Sequence, residues 1–208
     1  MFFKFRKDKN VGRDVLGAPR NESKIKYIIA GLGNPGAKYG HTRHNAGFLA
    51  LDYISQKYDF KINLIKFRSL CAVKHDALFM KPQTYMNDSG EAVAAAARFY
   101  KIPPENILVI SDDASLPTGK LRIRKSGSDG GQKGLRSIIY TLSTEEFPRI
   151  KIGVGEKPHP DFELARWVLS KFSKEERKII FEAFEKVYDC VDMFLKETPL
   201  TDIQNKYN

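Results

Sequence analysis

The chain has 208 residues, 42% hydrophobic and 12% aromatic, enough to bury a sizeable core as one domain. Its formal charge of +10 favours an acidic macromolecular partner, nucleic acid before an anionic membrane. Two isolated cysteines, Cys71 and Cys190, exclude a disulfide framework and a C-x-x-C zinc site, and no apolar run approaches the roughly 18 residues of a membrane span.

In residues 1–24, Lys4, Arg6, Lys7, Lys9, Arg13, Arg20 and Lys24 outnumber Asp8, Asp14 and Glu22. Apolar periodicity lapses after Phe5, and there is no hydrophobic signal core. The segment reads as a basic, flexible N-terminal extension. Residues 25–208 are expected to form one α/β domain.

Ile25–Leu32 reads as a buried strand. It runs into Gly31-Leu32-Gly33-Asn34-Pro35-Gly36, Tyr39 and Thr42-Arg43-His44-Asn45, where a helix is expected to open at His44 with Thr42 as its cap. Ala46, Leu49, Ala50 and Tyr53 follow helical spacing. The glycines also match G-x-G-x-x-G, with Asp52 near the acidic position of a dinucleotide site. That match is weak, because Asp52 falls on a helix and Pro35 removes an N–H from the loop that would cradle pyrophosphate.

Ser69–Lys74 and Ala77–Met80 read as strands around a His75-Asp76 turn. Asp88-Ser89-Gly90-Glu91 resembles a capping box for a helix over Glu91–Tyr100. Asn106–Ile110 suits a strand covered on both faces, with Asp112 at its C-terminal edge. Lys120–Arg124 alternates basic and apolar residues. A glycine-rich loop, Ser126–Gly134, leads to a helix near Leu135–Leu142, followed by a strand at Arg149–Val154 and a short helix at Asp161–Leu169. Ser173-x-x-Glu176 caps a long helix with Ile180, Phe184, Val187, Val191 and Phe194 on one face. Together these elements predict a single α/β domain with a twisted, mostly parallel (mixed) sheet and helices on both sides.

Among the polar residues, His44 is the leading candidate for a general base, since the positive end of a helix dipole disfavours imidazolium. Asp112 at a strand end could fix its tautomer, and the adjacent Asp113 could do the same. The amides of Asn34, Asn45 and Asn87 could hold a carbonyl or a developing oxyanion without a metal. His41 and His44 lack a third local ligand, so no metal is expected. Lys120, Arg122, Arg124 and Lys125, followed by Lys133, Arg136, Arg149 and Lys151, form a basic series suited to phosphate.

Taken together, GLGNPG, Tyr39, TRHNAGF, KPQTYMN-x-SG, the Asp112-Asp113 run into GKLRIR, and RIKIGVG closely resemble the bacterial-type peptidyl-tRNA hydrolase family. The resemblance implies a cytoplasmic, monomeric, metal-free esterase with no cofactor, no membrane association and no obligate protein partner. It would cleave the ester between a stalled peptide and the acceptor end of its tRNA. On this match His44 is the catalytic base, Asp112 its supporting acid, and Asn34 the residue that distinguishes blocked from free aminoacyl groups. Tyr39, Tyr85 and Asn87 match substrate-contacting positions. Arg122 and Lys151 match tRNA-phosphate positions, and Lys133 could contact phosphate too. The family usually reads GGHNG where this chain has Gly130-Gly131-Gln132-Lys133-Gly134, and Ser115 stands where an acid is common. A non-catalytic RNA-binding relative of the same fold is the alternative.

Overall fold

The computed structural model describes residues 25–208, so the expected basic extension over 1–24 lies outside the described residues. Seven strands form one sheet: β1 (Tyr27–Gly31), β2 (Leu64–Lys66), β3 (Ser69–Lys74), β4 (Ala77–Pro82), β5 (Ile107–Asp113), β6 (Leu121–Arg124) and β7 (Arg149–Gly153). Their order is β2-β3-β4-β1-β5-β7-β6. The pairings of β1 with β4 and β5, and of β5 with β7, are parallel. The outer pairings β2–β3, β3–β4 and β6–β7 are antiparallel, so the sheet is more evenly mixed than the sequence suggests.

The central strands β1 and β5 are buried on both faces, which is why they read as near-continuous apolar runs. Two cores flank the sheet. On one side Ile29, Phe79 and Ile150 pack with Ile54 of α1 (Ala46–Lys57), Phe184 and Val191 of α5 (Lys174–Leu195), and Ile203 of α6 (Leu200–Tyr207). On the other, Ile28, Ala30 and Val109 pack with Val93 of α2 (Ser89–Tyr100) and Ile138 of α3 (Lys133–Leu142). The short α4 (Leu164–Val168) lies near the start of α1, beside the 3-10 turn Arg43–Asn45. Among the described residues no helix is long and apolar enough to cross a membrane.

The glycines around β1 serve close packing. A Cβ on Gly31 would stand 2.4 Å from the Gly47 carbonyl oxygen, and one on Gly47 would stand 2.4 Å from both Ile110 O and Leu32 N. Strand and helix backbones therefore touch where any side chain would separate them. Asp52, the acid of the dinucleotide match, sits on α1 and pairs with Lys81 at 2.6 Å.

Several local expectations are revised. His44 lies in the 3-10 turn and α1 opens two residues later, while Thr42 Oγ1 donates to Tyr39 O instead of capping the helix. Asp88 occupies the N-cap of α2 without a side-chain cap bond, and Glu91 pairs with Arg68, so that capping box does not form. The Ser173–Glu176 box does. The expected helix at Asp161–Leu169 shortens to α4, because Asp161 and Phe162 belong to a turn closed by the Phe162 N–H on His159 O at 3.0 Å. Strand β2 and helix α6 have no counterpart among the expected elements. Cys71 and Cys190 are free and buried, and burial pushes their thiols up to about 11 and about 12.

Candidate active site

Polar side chains converge where β1 and β5 end and the Arg43–Asn45 turn leads into α1. Three consecutive residues of that turn are fastened to three different elements. Arg43, 4% exposed, forms a fork of two 2.8 Å bonds with Glu176 at the start of α5. It also donates to Val154 O at 2.7 Å, and its guanidinium lies 3.8 Å from the Trp167 ring centroid. Burial pushes the Glu176 carboxyl up, but Arg43 and the Ser173 N–H outweigh it and hold the group below the usual carboxylate range.

His44 comes next. Its Nδ1 stands 2.9 Å from Asp112 Oδ2 at the end of β5. A carboxylate accepts, so Nδ1 carries a proton, and in the neutral ring Nε2 keeps its lone pair. Asp112 is 3% exposed, and its other oxygen accepts from Gln132 Nε2 at 3.0 Å. Each carboxylate oxygen therefore has its own donor, as a buried carboxylate requires.

Asn45 closes the loop that carries Asn34. Its Oδ1 accepts from the Asn34 N–H at 2.9 Å and its Nδ2 donates to the Asn34 carbonyl at 3.0 Å. With both side-chain ends engaged on one backbone residue, Asn45 is a clasp, which corrects its expected role as an oxyanion donor. Asn34 Oδ1 accepts from the Met86 N–H at 2.9 Å, so Asn34 Nδ2 is the end available to an acceptor. A depression of about 170 Å³ opens beside this loop, lined by Asn34, Pro35, Asn45, Phe48, Leu70 and Lys81. Neither His44 nor Asp112 lines it, so the His44–Asp112 pair lies beside this hollow, joined to it through Asn34 and Asn45.

The remaining candidates are more dispersed. Tyr39 is partly exposed with Lys38 Nζ 4.8 Å from its ring centroid, and Tyr85 is 57% exposed. Asn87 is exposed and donates to Asp88 Oδ1. Arg122 faces Lys151 across the β6–β7 pairing. Lys151 Nζ lies 3.3 Å from Asp113 Oδ2, and both side chains are nearly buried. Burial pushes the Asp113 carboxyl up, yet the Ser115 hydroxyl and N–H together with Lys151 hold it below the usual range. Asp113 is thus turned away from His44. Lys133 is exposed at the first position of α3. Arg149 leaves the expected phosphate series: it is buried, with its guanidinium on the carbonyls of Gly127, Ser128, Glu145 and Phe147.

Among the described residues no group of three or more His, Cys, Asp or Glu side chains is placed to hold a metal ion. The arrangement can do base chemistry: an oriented imidazole with a second ring nitrogen, and an amide donor on Asn34 at the wall of an open hollow. Sequence reasoning missed the link from Gln132 to Asp112 and the anchoring of Arg43. The only sequence hint of the first was a polar residue three before Leu135, the pattern of an N-cap.

A family model described as peptidyl-tRNA hydrolase matches residues 28–208. A peptidyl-tRNA hydrolase of Caldanaerobacter subterraneus subsp. tengcongensis is 47% identical over 186 residues, covering 88% of this chain and 99% of the relative. One from Lactobacillus gasseri is 44% identical and covers 87% and 99%. The crystal structure of the peptidyl-tRNA hydrolase of Acinetobacter baumannii superposes with a TM-score of 0.80 at 30% identity, covering 88% of this chain and 94% of that one.

Proposed function

The chain belongs to the peptidyl-tRNA hydrolase family, and on that premise we propose that His44 is the base with which it cleaves the ester between peptide and tRNA. The observation that carries this assignment is the 2.9 Å contact from His44 Nδ1 to Asp112 Oδ2, which commits one ring nitrogen and leaves the other for water. Nε2 takes a proton as water adds to the ester carbonyl. The tetrahedral intermediate collapses, the ribose oxygen leaves and receives that proton, and the products are a peptide acid and a free tRNA hydroxyl.

Asn34 is assigned to substrate discrimination: its free Nδ2 would donate to the amide carbonyl that a blocked aminoacyl group has and an unblocked one lacks. Tyr39, Tyr85 and Asn87 are assigned to the acyl and acceptor ends. The hollow beside Asn34, with Phe48 on its wall and Lys81 neutralised by Asp52, suits the acyl side. Arg122 and Lys133 are assigned to tRNA phosphate. Lys151 is assigned there as well, with one of its three N–H donors held by Asp113. In the same reading residues 25–208 are the catalytic domain, residues 1–24 a basic extension, and the protein acts as a cytoplasmic monomer that recycles tRNA from stalled translation.

The test is release of N-acetyl-amino acid from N-acetyl-aminoacyl-tRNA, beside unblocked aminoacyl-tRNA and with EDTA present. His44→Ala should abolish turnover and leave tRNA binding largely intact, with the wild-type rate unaffected by the chelator. Equal hydrolysis by wild type and His44→Ala would overturn the assignment.

A further inference from the structure

We propose that Gln132 is a positioning residue for the reaction, its amide holding the Asp112 carboxylate in the orientation that fixes His44. The inference rests on His44 being the base and concerns a side chain that does not touch substrate. Gln132 is 8% exposed and stands at the N-cap of α3. Its Oε1 accepts from the Leu135 N–H at 2.8 Å, and its Nε2 donates to Asp112 Oδ1 at 3.0 Å while lying 3.2 Å from Met86 Sδ.

The amide's direction follows from its neighbours. Reversed, it would set an oxygen against a carboxylate oxygen and an NH2 against a backbone N–H, losing both bonds at once. The helix cap therefore determines which end faces Asp112. The backbone around it is equally fixed. The Gln132 N–H donates to Asp129 O at 3.1 Å, and its carbonyl accepts from the Arg136 N–H at 3.1 Å. At Gly134, a Cβ would stand 2.6 Å from Met86 Sδ and 3.0 Å from Gln132 Oε1. Helix α3 thus delivers one N–H to the buried side of the carboxylate, opposite the imidazole.

Among the described residues, the nearby charged side chains are engaged elsewhere. Asp113 faces Lys151 and Ser115, Asp129 faces Arg136 and the Gly131 N–H, Arg43 is engaged by Glu176, and Lys133 points to solvent. Without the Gln132 donor, one oxygen of a carboxylate that is 3% exposed loses the protein partner it has here. The carboxylate is then free to rotate away from Nδ1, and the ring with it.

Gln132→Ser separates the two duties of the side chain, because a serine hydroxyl at the N-cap still accepts from the Leu135 N–H while the longer amide that donates to Asp112 is removed. A hydrogen bond to a charged group is worth enough that kcat should fall about tenfold to a hundredfold, with KM for N-acetyl-aminoacyl-tRNA changing little. Gln132→His keeps an N–H donor on a ring whose other nitrogen can accept from Leu135, and should retain most of kcat. Melting curves of both variants, with Gln132→Leu as the variant lacking cap and donor, read the helix cap separately. A Gln132→Ser enzyme with wild-type kcat would overturn the proposal, as would a loss in Gln132→Ser that merely tracked its melting temperature. Wild type and His44→Ala run alongside: if those two hydrolyse equally, the assignment of His44 has failed, and if only Gln132→Ser behaves as wild type, this inference alone has failed.

Discussion

Asp112→Asn tests the site most sharply, because it keeps the volume and changes only what the two oxygens can do. In the native site Oδ2 accepts from His44 Nδ1 and Oδ1 accepts from Gln132 Nε2, so both neighbours are donors. An amide has one acceptor to offer. If its oxygen faces Gln132, its NH2 faces His44, and the imidazole must present a bare Nδ1 and protonate Nε2, which removes the base. If its oxygen faces His44, its NH2 meets the Gln132 NH2. Relief then requires Gln132 to reverse and abandon the Leu135 N–H, at about 1 kcal/mol for a lost helix cap. The first arrangement avoids that second loss and is the expected one. General-base catalysis with a correctly held tautomer is worth about 10²–10⁴ in rate, so kcat/KM on N-acetyl-aminoacyl-tRNA should fall by that factor. The melting temperature should change little. An Asp112→Asn enzyme within about threefold of wild type would refute this account of the base, since such a change is far below what a positioned general base contributes.

Three further outcomes follow from the charged residues. The Glu176 and Asp113 carboxyls are held below their ordinary values of 4.5 and 3.8, so each stabilises the fold above that ordinary value. That contribution is lost as pH falls through the lower folded-state value. Melting temperature should therefore drop as pH is lowered from 5 to 3, and Glu176→Gln should flatten part of the drop. The same variant should cost about 3 kcal/mol or less at pH 7, the lower end for a broken buried pair, since Glu176 is 22% exposed and glutamine can still accept from Arg43. A pH-melting curve unchanged in Glu176→Gln would contradict this. Arg122→Ala should weaken tRNA binding and reduce the slope of log K against log salt by about one, leaving kcat unaltered. An unchanged salt slope would remove Arg122 from the phosphate contacts.

The sequence made the central strands legible because burial on both faces leaves no room for polar residues: Ile28–Ala30 and Ile107–Ile110 could hardly be surface. The α5 face was legible for a related reason, as a long amphipathic helix must bury one stripe. Strand β2 was not, since Leu64 and Ile65 are both exposed on an edge and carry no alternation to read. His44 and Asp112 stood out as an imidazole and a carboxylate at the ends of predicted elements. The roles of the amides did not. Asn45 and Gln132 are amides, and an amide's role depends on which neighbours fold onto each of its two ends. Arg43 looked like one more positive charge in a basic chain, because its partner Glu176 lies 133 residues away.

The placement of Arg43 has a consequence for the order in which the site is assembled. Asn34, His44, Asp112 and Gln132 leave the ribosome before Glu176, Trp167 and Phe172 do. The residue next to the base thus acquires its anchor only when the last third of the chain is available to fold. A nascent chain that has completed most of the sheet already holds the proposed base and its partners, yet lacks the grip that aims the Arg43–Asn45 turn. The turn that carries His44 gains its Glu176 anchor only after the start of α5 has been made.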